Sequence, residues 1–314
     1  MEALAIHMYL TTVCNLNCTH CYYDARRVGD DPGLMLNTEE VARVITHLCG
    51  RFEADLHVEG GELFLRDDID DILTLVPPEH HRSLTFTTSG TVPIRVSTER
   101  LKGIGELRIS VEGHTDVLQQ RMRPANLSRV RRTIDELRDK SVDFTLRVTL
   151  FRDNARLLKE MVEAFSAWGV KRLSLFEFQP VGRGGLHIND YALTDEDFEH
   201  VVVDLLEMRM PPDIELLKLN LSPRRTAFAQ ALRSRFEDRG YRFLSLGAIA
   251  NLTINANGDL GISPWLATAA RLGDKFANLH EVDFGEELDR RFAAGDLSAP
   301  CAYTSALQVR YSHV

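Results

Sequence analysis

The feature that most constrains this chain is a periodicity that switches back and forth between residues 4 and 178. Short apolar runs at 4–10, 54–59, 84–88, 107–111, 143–150 and 173–178 alternate with stretches whose apolar residues recur every three or four positions. The first pattern reads as buried strands and the second as amphipathic helices. Val41, Val44, Ile45 and Leu48 share one helical face; Ile69, Ile72, Leu73 and Val76 share another. Val130, Ile134 and Leu137 mark a third, and Leu158, Met161, Phe165 and Trp168 a fourth, with a short polar helix at 97–103. The boundaries carry their own signals. Asn37 with Glu40 makes a capping box, Pro77-Pro78 stops a helix, and Gly169 closes one. Six strands alternating with helices need crossover connections, and right-handed crossovers lay the strands parallel in one curled sheet. Six units are too few for a closed eight-stranded barrel.

In such sheets ligands sit at the carboxyl ends of the strands, and the polar and glycine-rich clusters of this chain fall there. Cys14-Asn15-Leu16-Asn17-Cys18-Thr19-His20-Cys21 follows the first run, and Glu59-Gly60-Gly61-Glu62 the second. Thr87-Thr88-Ser89-Gly90 closes the third, Ser110-Val111-Glu112-Gly113 the fourth, and Gln179 to Gly185 follows the sixth. The CxxxCxxC spacing places three soft thiolate ligands on one short loop. Three thiolates on a four-iron cubane leave one iron open to a small molecule. A Cys3His zinc site with His20 is the alternative. Against it, His20 adjoins Cys21, and no second CxxC pair closes such a site. Disulfides are a further alternative, but five cysteines in 314 residues are sparse and odd in number, which suits a reducing compartment.

With Tyr22 directly after the third cysteine, the loop resembles the cluster motif of the radical S-adenosylmethionine (SAM) superfamily. The resemblance implies a partial (βα)6 TIM-like barrel and one [4Fe–4S] cluster on Cys14, Cys18 and Cys21. It also implies reductive cleavage of SAM to methionine and a 5′-deoxyadenosyl radical, which takes a hydrogen atom from the substrate. A reductant such as flavodoxin or ferredoxin would supply the electron. Gly60-Gly61-Glu62 resembles the motif that holds the SAM amino group, with Leu63 where relatives carry proline. Ser89 stands where they often have asparagine. Ser110 matches a serine that contacts SAM, and Glu112 replaces an aspartate usual two residues later. Tyr22 joins this implied cofactor set. Arg121 and Arg123 both lie one residue from the arginine expected to pair with the SAM carboxylate, and Arg147 is a third candidate.

Beyond residue 190 the pattern changes. Thr194 caps an acidic helix running to about 209, before Pro211-Pro212, and 223–239 reads as a basic helix. Phe243 to Ile254 and Asp259 to Ile262 read as strands joined by an Asn257-Gly258 hairpin turn. The expected organisation is a core over 1–190, a helical linker over 191–240 and a small α/β appendage over 241–314. Pro180 to Gly185 resembles the Pro-x-Gly-Arg loop of the SPASM/twitch branch, whose tails bind auxiliary clusters. Here Leu246 and Trp265 stand where that branch has cysteines, so one cluster is expected. Cys301 is the tail's single cysteine. As a thiol it could return a hydrogen atom to a substrate radical; otherwise it, like Cys49, is a small buried hydrophobe. His80-His81 reads as a polar loop.

Apolar residues make up 44% and the net charge is −9. No basic stripe favours nucleic acid, no apolar run reaches membrane-spanning length, and no signal segment opens the chain. A cytoplasmic enzyme is expected. The nearest resemblance is to maturases that epimerise or crosslink ribosomal peptides, although the chain begins at the first strand without an N-terminal peptide-recognition domain. A small metabolite (a sugar, nucleoside or aminoglycoside) is the alternative substrate. A catalytically silent iron–sulfur scaffold is the alternative of another class.

Overall fold

The alternating apolar runs become strands because one face of each is aliphatic and buried in the core while the other carries polar groups that bond one another across the sheet. The computed structural model describes residues 3–30, 33–245, 250–262, 275–297 and 305–311. The six expected strands are β1 (Ala3–Tyr9), β2 (Glu53–Glu59), β3 (Leu84–Thr88), β4 (Glu106–Ser110), β5 (Thr145–Leu150) and β6 (Arg172–Glu177). They are parallel and adjacent in chain order. On β1, Leu4, Ile6 and Met8 are buried against the helices, while His7 meets Glu59 across the interior. The same alternation puts His57, Arg108 and Arg147 inside.

The helices begin and end where the sequence signals fall. Asn37 and Glu40 form a reciprocal capping box on α1 (Thr38–Arg51), and Thr194 and Asp197 do the same at Asp195–Glu207. Gly169 follows the helix over Leu158–Ala167 with φ +76°. One local expectation fails. His81 is buried, and its Nε2–H points at the Leu73 and Val76 carbonyl oxygens, 3.1 Å from each. It satisfies carbonyls that α2 (Ile69–Leu75) leaves open at its C-terminal end, so it is a capping group and not a polar loop residue.

The C-terminal region differs most from expectation. The stretch read as a helical linker contains a strand, β7 (Leu216–Leu221), parallel to β6. The basic helix is two helices, Pro223–Ala231 and Arg233–Asp238. The single strand expected over 243–254 is two, β8 (Arg242–Ser245) and β9 (Ala250–Ile254). They lie near opposite ends of the sheet. β9 runs parallel to β1, and its hairpin with β10 (Asp259–Gly261) turns at Asn257-Gly258 as expected. β11 (Lys275–Asn278) pairs with β10, while β8 pairs with β12 (Ser305–Arg310), which lies along β7. Among the described residues the sheet order is β8-β12-β7-β6-β5-β4-β3-β2-β1-β9-β10-β11, an open mixed sheet whose ends do not pair. The tail thus extends the core sheet at both edges. No described helix is long and apolar enough to cross a membrane.

Replacing His81 by Leu strands two buried carbonyls and is expected to cost about 1–3 kcal/mol in urea unfolding. Glu79→Ala, at an exposed position of the same turn, is expected to stay within about 0.5 kcal/mol.

Candidate active site

The cysteine loop is seated by main-chain contacts with the end of β2. The Gly61 N–H donates to the Thr11 carbonyl at 2.8 Å and the Glu62 N–H to the Val13 carbonyl at 2.9 Å. A Cβ on Gly61 would stand 2.2 Å from the Val13 oxygen, and one on Gly60 2.7 Å from the Thr11 oxygen. Only glycine lets the two backbones approach this closely. On its far side the loop is tied by the Thr19 N–H to the Met122 carbonyl at 2.9 Å. Val13–Cys14 pairs with Arg26–Arg27 as two short parallel strands.

One recess collects most of the expected residues. Cys14, Cys18, Cys21, Tyr22, Gly60, Gly61, Ser89, Ser110 and Arg123 line it, together with His20, Glu59, Thr87, Arg147 and Thr149. Three expected residues stand elsewhere. Glu62 is 1% exposed, and its carboxylate accepts from the Thr88 hydroxyl (2.7 Å), the Ser89 N–H (2.8 Å), the Ser89 hydroxyl and the Phe64 N–H. It braces β3 against β2. Glu112 is fully buried and receives Arg123 Nη2 at 2.8 Å and the Thr149 N–H at 2.8 Å. Arg121 is 57% exposed and paired with Asp153. Of the three arginines left open by the sequence, Arg123 and Arg147 therefore face the recess and Arg121 does not. Cys301, Leu246 and Trp265 lie outside the described residues. Cys49 is buried in α1, away from the recess, with its thiol pushed up to about 11 by burial.

Two buried carboxylates, Glu59 in the recess lining and Glu112 behind it, are held ionised by their neighbours. Burial opposes ionisation of Glu59, but the His7 hydrogen bond and the Arg147 charge outweigh it and hold the carboxyl well below the usual range. Tyr22 donates its hydroxyl to Glu59 at 2.5 Å. Burial likewise opposes Glu112, yet Arg123 and His20 hold it at about 2. Glu59 was not expected as a site residue. Its signal was available, because the alternation of β2 puts Asp55, His57 and Glu59 on one face with Glu59 at the carboxyl end. Further inside, His57 stacks on His7 with ring centroids 5.0 Å apart. Burial lowers the His57 pKa, which keeps the ring neutral to accept Arg108 Nη1 at Nδ1, 3.0 Å away.

The donor set fits an iron–sulfur cluster. Burial pushes the Cys14 thiol up to about 11 and the Cys18 thiol to about 12; both stay protonated until a metal displaces the proton. Arg123 is the nearby cation that offsets the thiolates. His20 is not a free fourth ligand, since Nδ1 lies 3.2 Å from the Met122 carbonyl and Nε2 3.2 Å from Glu112. Among the described residues no three such side chains converge as they would on a single ion. A cubane, by contrast, takes each cysteine on a different iron.

Comparison with known proteins agrees with this geometry. Residues 8–174 match the Radical SAM superfamily. The chain belongs to that superfamily. It is similar to a probable GTP 3′,8-cyclase of Methanocella arvoryzae, 36% identical over 108 residues, which cover 34% of this chain and 33% of the cyclase. It is also similar to the AdoMet-dependent heme synthase of Methanosarcina barkeri, 24% identical over 76% of this chain and 70% of the synthase. Among solved structures, Streptococcus suis SuiB bound to its precursor peptide SuiA superposes with a TM-score of 0.68 at 16% identity, over 91% of this chain and 64% of SuiB. AnSMEcpe with bound AdoMet gives 0.66 at 14% identity, over 95% and 83%. The chain thus spans a third of the cyclase and just under two thirds of SuiB. Both superpositions cover more than nine tenths of this chain and so take in most of its elements beyond residue 190.

Because Glu112 is depressed to about 2 in the folded state, its stabilisation is complete above the unfolded carboxylate pKa. It is lost as pH falls from about 5 towards 2, up to about 3 kcal/mol in all. Glu112→Gln is expected to flatten this acid limb of the stability–pH curve, read by urea unfolding at a series of pH values. The same variant leaves the buried Arg123 charge unpaired and is expected to cost about 3 kcal/mol or more at pH 7.

Proposed function

We propose that this enzyme holds one [4Fe–4S] cluster on Cys14, Cys18 and Cys21 and binds SAM across the same recess. The observation that carries this reading is the convergence of the three cysteines, Gly60, Gly61, Ser89, Ser110, Arg123 and Arg147 on one cavity at the strand ends. When bound, the cluster supplies the electron that cleaves SAM to methionine and a 5′-deoxyadenosyl radical. The chain's own groups bind, orient and shield. Arg123 and Arg147 offer cations to a carboxylate. Ser89 and Ser110 offer hydroxyls, and the bare Gly60-Gly61 backbone lets a ligand approach closely. Tyr22 and the Glu59 carboxylate form part of the recess lining. Glu62 and Glu112 act from behind, bracing Ser89 and Arg123. Cys301 is proposed as a hydrogen-atom donor to the substrate radical. A flavodoxin or ferredoxin is the proposed reductant.

A peptide is the favoured substrate, matured by epimerisation or crosslinking. Its support is the fold shared with SuiB, solved with its precursor peptide. A small-metabolite substrate is the second reading, favoured by the 36% identity to a nucleotide cyclase. Binding of candidate precursor peptides against nucleotides, measured by calorimetry on the anaerobic enzyme with SAM, separates the two. Deuterium uptake from heavy water in the product favours epimerisation over crosslinking, and its loss in Cys301→Ala would implicate that thiol.

Anaerobic reconstitution is expected to load about four iron and four sulfide per chain. Cys14→Ala/Cys18→Ala/Cys21→Ala is expected to load none, and a value near eight would contradict the single cluster. Arg123→Gln is expected to weaken SAM binding at least about tenfold, roughly 1.4 kcal/mol. Arg121→Gln is expected to leave it unchanged.

A further inference from the structure

The loop after β6 grips the cysteine loop, and most of the grip comes from one side chain. Gly182 adopts φ +58°, and a Cβ there would stand 2.4 Å from the Tyr22 carbonyl oxygen and 2.6 Å from that of Cys21. The next N–H, that of Arg183, donates to the Cys21 carbonyl at 3.0 Å. The Arg183 guanidinium then fans out over the loop. Nη1 donates to the Asn17 side-chain oxygen, Nη2 donates to the Ala25 carbonyl at 2.8 Å, and Nε pairs with Asp24 at 2.8 Å. Asn17 lies between the first two cysteines, and Asp24 and Ala25 follow the third. One guanidinium therefore spans both sides of the Cys18–Cys21 turn, which is closed by the Cys21 N–H to the Cys18 carbonyl at 3.3 Å.

The same segment holds the loop a second time. The Tyr191 hydroxyl lies 3.0 Å from the Thr19 hydroxyl and 2.8 Å from the Arg121 carbonyl. Its ring is wedged between Phe151 and Phe178, with centroids 5.8 and 5.7 Å away. The grip is thus anchored in the core at one end and delivered at the other by a planar guanidinium that makes two hydrogen bonds and an ion-pair contact. A lysine ammonium is a single point charge on a flexible stem and does not reproduce that arrangement.

We propose that Arg183 is a positioning residue for the cluster: it holds the segments on either side of the Cys18–Cys21 turn in the register that three thiolates need around one cubane. The proposal rests on the cluster assignment above. Its test compares the wild type with Arg183→Ala, Arg183→Lys and Asn17→Ala/Asp24→Ala. The double variant keeps Arg183 and removes two of its partners. Each protein is reconstituted anaerobically, and the EPR spectrum of the reduced cluster is recorded with and without SAM. Alkylation of Cys18 is timed in the apo proteins.

Arg183→Ala is expected to split or broaden the reduced-cluster signal, to lose its uniform response to SAM, and to raise apo Cys18 alkylation at least about threefold. Arg183→Lys is expected to recover these only in part, and the double variant to fall between. Wild-type spectra and an unchanged alkylation rate in Arg183→Ala would overturn the proposal. Should circular dichroism show that Arg183→Ala does not fold, the double variant decides, with altered spectra and faster alkylation in support and wild-type behaviour against. Should the wild type take up no cluster, the functional reading fails by itself, and the alkylation rates alone decide whether Arg183 orders the loop.

Discussion

The site depends on a main-chain contact between two strand ends. The segment entering the cysteine loop lies flush on the exit of β2, with Gly61 seated against the Val13 carbonyl where any Cβ would collide. Two backbone hydrogen bonds close the contact. Cys14 follows Val13 directly, so the position of the first cysteine is set by the absence of a side chain at Gly61, just past β2. The glycines of this motif thus have a packing role within the chain, in addition to the access they give a ligand.

Charge is distributed across the sheet in a way that serves this contact. One face of each strand is aliphatic and packs on helices, as Leu4, Ile6, Leu56, Val58, Leu146 and Val148 do. The other carries His7, His57, Glu59, Arg108 and Arg147, which bond one another across the interior. Burying charged groups is costly unless they are paired or hydrogen-bonded; Glu62 is met by hydroxyl and N–H donors, and the other two carboxylates have cations. Glu59 has Arg147, and Glu112 has Arg123. These pairs hold two guanidinium groups in the lining of a recess where burial pushes the Cys14 and Cys18 thiols up.

Local signals made the core legible in the sequence. The Asn37 cap, the Pro77 stop, Gly169 and the Asn257-Gly258 turn all act over a few residues, and all appear where expected. The cysteine loop carries a signal of the same local kind, since its spacing is itself the proposed ligand set. Four things were not legible. β7 and β12 are short apolar stretches whose identity depends on each other and on β6, so no local pattern announces them. The split of 243–254 into strands at opposite ends of the sheet is a matter of long-range pairing. The places of Glu62 and Glu112 behind the recess, and of Glu59 within it, depend on side-chain direction at strand ends, which spacing alone does not give. His81 looked like a polar loop residue because its carbonyl partners on α2 come from a chain reversal.

The most direct test of the central claim is release of 5′-deoxyadenosine by the anaerobically reconstituted protein given SAM and a strong one-electron reductant, with the Cys14/Cys18/Cys21→Ala variant as the blank. The account predicts release by the wild type and none by the variant. A wild type that carries its cluster, binds SAM and still releases no 5′-deoxyadenosine in the presence of any candidate peptide or nucleotide would contradict it, and would leave the fold as an iron–sulfur scaffold.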